Sequence, residues 1–110
     1  MTGASPRMTI PTQLVLRVLL EDPRTERYGY ELGEAAGLAS GTVHPILSRL
    51  EGTRWVESRW EEVDSAEAGR PPRRYYRLTA PGVEAARDAL ARAARARRGR
   101  SLWSPAPEPT

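Results

Sequence analysis

A mainly α fold with a small β hairpin is predicted by three observations. Apolar residues recur at helical spacing over residues 12–22 and 41–51, the period switches to two over 56–61 and 75–78, and helical spacing returns over 80–98. The chain therefore reads as helix, helix, helix, hairpin, helix.

Residues 1–8 are polar and contain Pro and Gly, the composition of a flexible arm. The first helix is expected from Thr12 to Asp22, where Pro23 stops it. Leu14, Val15, Leu16, Val18, Leu19 and Leu20 make it apolar nearly all round, with Arg17 the only interior charge. Such a helix needs cover on more than one side, its own core on one and a second subunit on the other. A second helix fits Tyr28 to Ala36, with Tyr30, Leu32 and Ala35 or Ala36 available for packing, Tyr30 partly inward, and Gly37 as its stop. Leu38 and Ala39 turn the chain into the segment Ser40 to Glu51.

That segment carries two opposed faces. Wound at about 100° per residue, Val43, Ile46, Leu47 and Leu50 form one stripe, and Gly41, Pro45, Ser48, Arg49 and Gly52 turn away from it. The outward side is slim, polar and basic, as suits a helix entering a DNA groove. Pro45 is tolerable if Ser40 or Thr42 caps the helix, because the missing donor then falls near the first turn. The free N–H groups beside Ser40, Thr42 and His44 would then suit a phosphate.

After Gly52, Val56, Ser58 and Trp60 alternate with charged residues, and Tyr76 and Leu78 alternate with Tyr75 and Arg77. The connection from Glu62 to Arg73 is long and ends in Gly69-Arg70-Pro71-Pro72-Arg73-Arg74. A hairpin directly after a groove-reading helix is a wing. The expected architecture is thus a winged helix-turn-helix domain over residues 9–79, followed by a dimerisation helix over 80–98. In that last helix Val83, Ala86, Leu90 and Ala93 repeat with 3-4-3 spacing. With Leu14, Leu16, Val18 and Leu20 they are the expected contacts of a homodimer. Residues 99–110, with three prolines and no period, read as a disordered tail carrying Trp103.

Bulk properties agree. The 110 residues allow one domain with a modest core, which a second copy would extend. Net charge is +3 but uneven: residues 1–69 hold 7 Arg against 11 acids, and residues 70–100 hold 10 Arg against 2. The basic half is where a polyanion would bind. Every basic residue is Arg, from selection for bidentate phosphate and guanine contacts or from the composition of a GC-rich genome. The lack of Cys removes disulfides and thiolate metal sites and fits a cytoplasmic protein. No run approaches a membrane span. A lone His44, scattered acids and no Gly-rich phosphate loop predict no metal, no cofactor and no enzyme.

Four motifs carry a resemblance: Tyr28-Gly29-Tyr30-Glu31-Leu32, the run Gly41 to Glu51, Gly69-Arg70-Pro71, and Arg74-Tyr75-Tyr76-Arg77-Leu78-Thr79. In order and spacing, over roughly residues 9–95, the chain resembles the PadR family of winged-helix transcriptional regulators. The resemblance implies a homodimeric repressor whose C-terminal helix swaps across the dimer axis. Recognition helices would enter successive major grooves of an inverted-repeat operator, with wings on the flanking backbone or minor groove. The single C-terminal helix is similar to the smaller branch of the family. His44 stands where the family has Tyr. Some small members hold flat ligands between aromatic residues of the dimer pore, whereas the middle of this last helix offers Ala and Arg. A small-molecule effector is thus left open.

The expected DNA-binding residues are Tyr28, Ser40, Thr42, His44, Pro45, Ser48 and Arg49, with Arg70, Arg73 and Arg74 from the wing. Plainer roles stand beside these: Ser40 and Thr42 as helix caps, Arg49 as a solvated charge, the wing arginines as an ordinary loop. Trp55 and Trp60 are expected in the core and at the wing root, and Arg92, Arg95, Arg97, Arg98 and Arg100 on a solvated helix face. The competing function is a winged-helix module that binds protein instead of DNA.

Overall fold

The computed structural model describes residues 5–102. Its elements are α1 (Ile10–Glu21), β1 (Arg27–Tyr28), α2 (Gly29–Ala36), α3 (Ser40–Gly52), β2 (Val56–Trp60), α4 (Ser65–Ala68), β3 (Arg74–Leu78) and α5 (Ala80–Leu102). The strands form one antiparallel sheet in the order β1-β3-β2.

Helix α1 begins two residues before the expected Thr12, because the Thr9 hydroxyl accepts from the Thr12 N–H at 3.3 Å and Gln13 Nε2 donates to the Met8 carbonyl at 2.8 Å. Val15, Leu16, Val18 and Leu19 are buried and join Leu32 of α2 with Val43, Ile46, Leu47 and Leu50 of α3. Trp55, Val56, Tyr76, Leu78, Ala86 and Ala89 complete this core. Helix α5 packs along α1.

That packing corrects the expected dimer surface. Leu16 and Ala86 are 0% exposed within the chain itself, and Val18 is 7% exposed, so all three belong to its own core. Periodicity marks an apolar seam on each helix alone; once the helices and the sheet pack together, part of each seam goes into the shared core. Leu14, Leu20, Val83, Leu90 and Ala93 are half-buried.

One further expectation about packing is overturned. Tyr30, expected partly inward, is 63% exposed, and its hydroxyl donates to Glu34 at 3.2 Å one turn along. Trp60 stands at the wing root but is 60% exposed. Among the described residues, Trp55, at 9%, is the tryptophan of the core.

Helix α3 starts at Ser40, one residue before the Gly41 start that a Ser40 cap would give. Its N-cap is Ala39, whose carbonyl accepts from Thr42 and Val43 N–H at 2.9 and 3.1 Å, and no side chain caps it. Ser40 and Thr42 are therefore helical residues, not caps. Pro45 lies inside the helix, so the carbonyl of Gly41 has no N–H four residues on. Both residues are exposed, and water can satisfy that carbonyl.

Strands β2 and β3 pair from Val56↔Leu78 to Trp60↔Arg74 as one hairpin. Strand β1, which the sequence did not suggest, adds Arg27↔Tyr76 and Tyr28↔Tyr75. Two residues are too few to show a period, and only the edge of β3 defines them as a strand. Helix α4 is capped by the Asp64 carboxylate, which accepts from Ala66 N–H at 2.9 Å.

Helix α5 continues to Leu102, beyond the expected end at Arg98. Gly99 lies within the helix with nothing near the position of a Cβ, and the Arg- and Ala-rich flanks are strong helix formers. Residues 1–4 and 103–110, including Trp103, lie outside the described residues. No described helix is long and apolar enough to cross a membrane.

Candidate nucleic-acid interface

The two faces of α3 are separated as the periodicity requires. Val43, Leu47 and Leu50 are 0% exposed and Ile46 3%, whereas Ser40, Gly41, Thr42, His44, Pro45, Ser48 and Arg49 are all exposed. Thirteen residues at about 1.5 Å each make a rod of about 20 Å, enough to lie in a major groove. The exposed face is narrow because Gly41, Ser48 and Pro45 are small or compact.

The start of α2 abuts this face. A Cβ on Gly29 would sit 2.8 Å from Cε1 of His44, so the imidazole rests on bare backbone and is steadied there although exposed. A side chain at 29 would push the imidazole off this seat. Next to it, Tyr28 N–H donates to the Glu31 carboxylate at 3.3 Å, which caps the helix.

The wing is tied to α3 by Arg74. Its guanidinium lies 3.6 Å from the carboxylate of Glu51, the last acid of α3, and 4.9 Å from the Trp60 ring centroid. Glu51 also accepts from the Ser58 hydroxyl of β2. Arg73 lies over the Tyr28 ring at 4.5 Å, and Tyr28 meets Tyr75 edge-on at 6.0 Å. Arg59 covers Tyr75 at 5.3 Å and makes two hydrogen bonds to Glu26, at 2.6 and 2.8 Å.

Arg70 differs from its neighbours. Its Nη1 and Nη2 donate to Oε1 and Oε2 of Glu61 at 2.6 and 3.1 Å, a bidentate pair that turns the guanidinium toward the root of the wing. Glu61 also accepts from Arg73 N–H and the Tyr75 hydroxyl, each at 3.2 Å. The Arg70 guanidinium above all holds the Glu61 carboxyl down at about 2; burial opposes it, and the Arg73 amide and the Tyr75 hydroxyl add smaller effects in the same direction as Arg70. Arg70, expected as a free cation of the wing, is thus committed to Glu61.

The expected site residues therefore fall into three groups. Ser40, Thr42, His44, Pro45, Ser48 and Arg49 share one exposed helix face; Tyr28, Arg73 and Arg74 border it; Arg70 points into the wing root. Sequence reasoning missed Glu61, Tyr75 and Arg59. They lie on or beside strands, and their partners are up to 33 residues away, so no local spacing marks them. Among the described residues no cluster of three His, Cys, Asp or Glu could hold a metal.

The chain resembles the crystal structure of a PadR family transcription regulator from hypervirulent Clostridium difficile R20291, with TM-score 0.65 and 20% identity over 86% of this chain and 98% of that one. At that identity the likeness concerns the fold. PcaV, a transcriptional regulator from Streptomyces coelicolor, is similar at TM-score 0.67 and 24% identity, over 89% of this chain and 67% of PcaV. Overoxidized AbfR bound to DNA is similar at TM-score 0.58 and 27% identity, and the chain spans 60% of its length while 78% of this chain is covered. Among curated proteins none matches. The model of the transcriptional regulator PadR-like family matches residues 15–88, from the first core residue of α1 into α5. By that match the chain belongs to the PadR-like family of transcriptional regulators.

Proposed function

We propose that the protein is a homodimeric repressor that reads an inverted-repeat DNA operator with α3 and grips the flanking backbone with the wing. The observation that carries this reading is the two-sided α3: four aliphatic residues buried, eight small, polar or basic residues exposed, and Arg73 and Arg74 alongside. Arg49 and Ser48 are the side chains offered to base edges, and Ser40, Thr42 and Tyr28 to phosphates. Arg73 and Arg74 neutralise phosphates of the flanking turn.

Half-buried Leu14, Leu20, Val83, Leu90 and Ala93 are the surface offered to a second copy. Two recognition helices about 34 Å apart would then meet successive major grooves. That AbfR has been determined bound to DNA, and PcaV with its natural ligand, supports a DNA partner and a ligand that acts as effector. An effector acts here by preferring a dimer with another helix spacing, since equal affinity for both shifts nothing. The reading places the protein in the cytoplasm.

Fluorescence anisotropy with a labelled duplex from the protein's own promoter region tests this. Arg49→Ala should weaken binding at least tenfold, by about 1.5–3 kcal/mol, if it hydrogen-bonds to a base or phosphate. Arg73→Ala with Arg74→Ala should lower the salt slope by roughly 0.9 for each phosphate left without its arginine. Unaltered affinity and slope in the triple variant would refute the reading.

A further inference from the structure

We infer that Glu61 is a positioning residue for DNA binding: it clasps the root of the wing and thereby aims Arg73 and Arg74. The inference rests on the regulator reading above and deepens it. Glu61 and Arg73 bound the long wing loop, and two bonds close it between them. Glu61 N–H donates to the Arg73 carbonyl at 2.7 Å, and Arg73 N–H returns a bond to Glu61 Oε1 at 3.2 Å. Arg70 adds two bonds to the same carboxylate from within the loop, and Tyr75 adds one from β3.

One carboxylate therefore joins the strand that enters the wing, the loop, and the strand that leaves it. Immediately beyond the clasp, Arg73 is laid on Tyr28 and Arg74 reaches toward Glu51 of α3. A loop of this length has a large closure entropy, and ordering it before DNA arrives removes that cost from binding.

The sign of the effect distinguishes this role from plain electrostatics. Glu61→Gln removes a negative charge close to a polyanion and releases Arg70, so charge alone predicts tighter binding. Positioning predicts weaker binding, because the glutamine amide presents a donor where Arg70, Tyr75 or the Arg73 amide already donates, and the clasp opens. With two wing side chains no longer held, the loss should be about five- to tenfold.

The experiment is a double-mutant cycle in the full-length protein, read by anisotropy and by amide hydrogen exchange of the free protein. Glu61→Gln should weaken DNA binding in the wild-type background and have no effect once Arg73→Ala and Arg74→Ala are present. Exchange over residues 62–73 should speed up while the α1 and α3 amides stay protected. Arg70→Gln, which opens the clasp from the other side, should speed the same amides, and it replaces Glu61→Gln if that variant fails to fold. Binding that is equal or tighter, or a loss that persists in the Arg73→Ala, Arg74→Ala background, overturns the inference. So does unchanged exchange over 62–73. A wild-type protein that binds no duplex while the exchange effect is present overturns the regulator reading instead and leaves a purely structural clasp.

Discussion

Gly82→Ala tests how closely α5 is seated on the winged domain. Gly82 lies in the first turn of α5, and a Cβ there would fall 1.9 Å from the Trp55 carbonyl oxygen, 1.1 Å inside the 3.0 Å that real Cβ atoms essentially never breach. That carbonyl cannot move freely, since it accepts from Thr79 N–H at 2.9 Å. The Thr79 hydroxyl in turn accepts from Gly82 N–H at 2.9 Å and donates to the Arg54 carbonyl at 2.8 Å. Helix propensity favours the alanine by about 1 kcal/mol. Against it stand overpacking of about 1–3 kcal/mol, a displaced backbone bond of about 1 kcal/mol and a loosened cap of about 1 kcal/mol. The clash wins, with a net loss of about 2–4 kcal/mol. For a chain of 110 residues that lowers Tm by roughly 10–15 °C, read by circular dichroism at fixed protein concentration. Gly99→Ala is the control: with nothing within 4 Å, the same substitution in the same helix should leave Tm unchanged or slightly raised. A Gly82→Ala protein melting at or above the wild-type temperature would show that α5 does not sit on the Trp55 carbonyl.

Leu47→Ala, in the fully buried stripe of α3, should destabilise by about 2–5 kcal/mol in chemical denaturation, whereas Ser48→Ala on the opposite face should stay within about 0.5 kcal/mol. Leu14→Asp with Leu90→Asp should convert a dimer to a monomer by light scattering if their half-exposed faces meet a second copy, and an unchanged mass would place the interface elsewhere. Acid sensitivity follows from Glu61. Its folded carboxyl is held at about 2, below the usual 4.5, so its contribution is complete above about pH 4.5 and is lost as pH falls toward 2. Glu61→Gln should therefore flatten the stability profile between pH 4.5 and 2, and identical slopes in a denaturation series would refute the Arg70 clasp.

The alternation of buried and exposed positions along α3 was legible in the sequence, because helical period alone decides which way Leu47 and Ser48 point once one side meets a core. The hairpin was legible for the same reason, its period being two, and the uneven charge marked the basic half. Caps and ends were less so: Ser40 stands where a cap would serve, but the Ala39 carbonyl makes the first bonds, and Gly99 does not stop a helix flanked by Arg and Ala. What only the tertiary structure decided were partnerships across the chain. Leu16, Val18 and Ala86 have the spacing of a free subunit surface, yet the chain's own core buries them. Arg70 resembles Arg73 and Arg74 in sequence, but Glu61 lies where the returning strand brings the two together. Periodicity tells a residue which side of its own element it occupies; which neighbour waits there depends on chain reversals whose geometry no local pattern records.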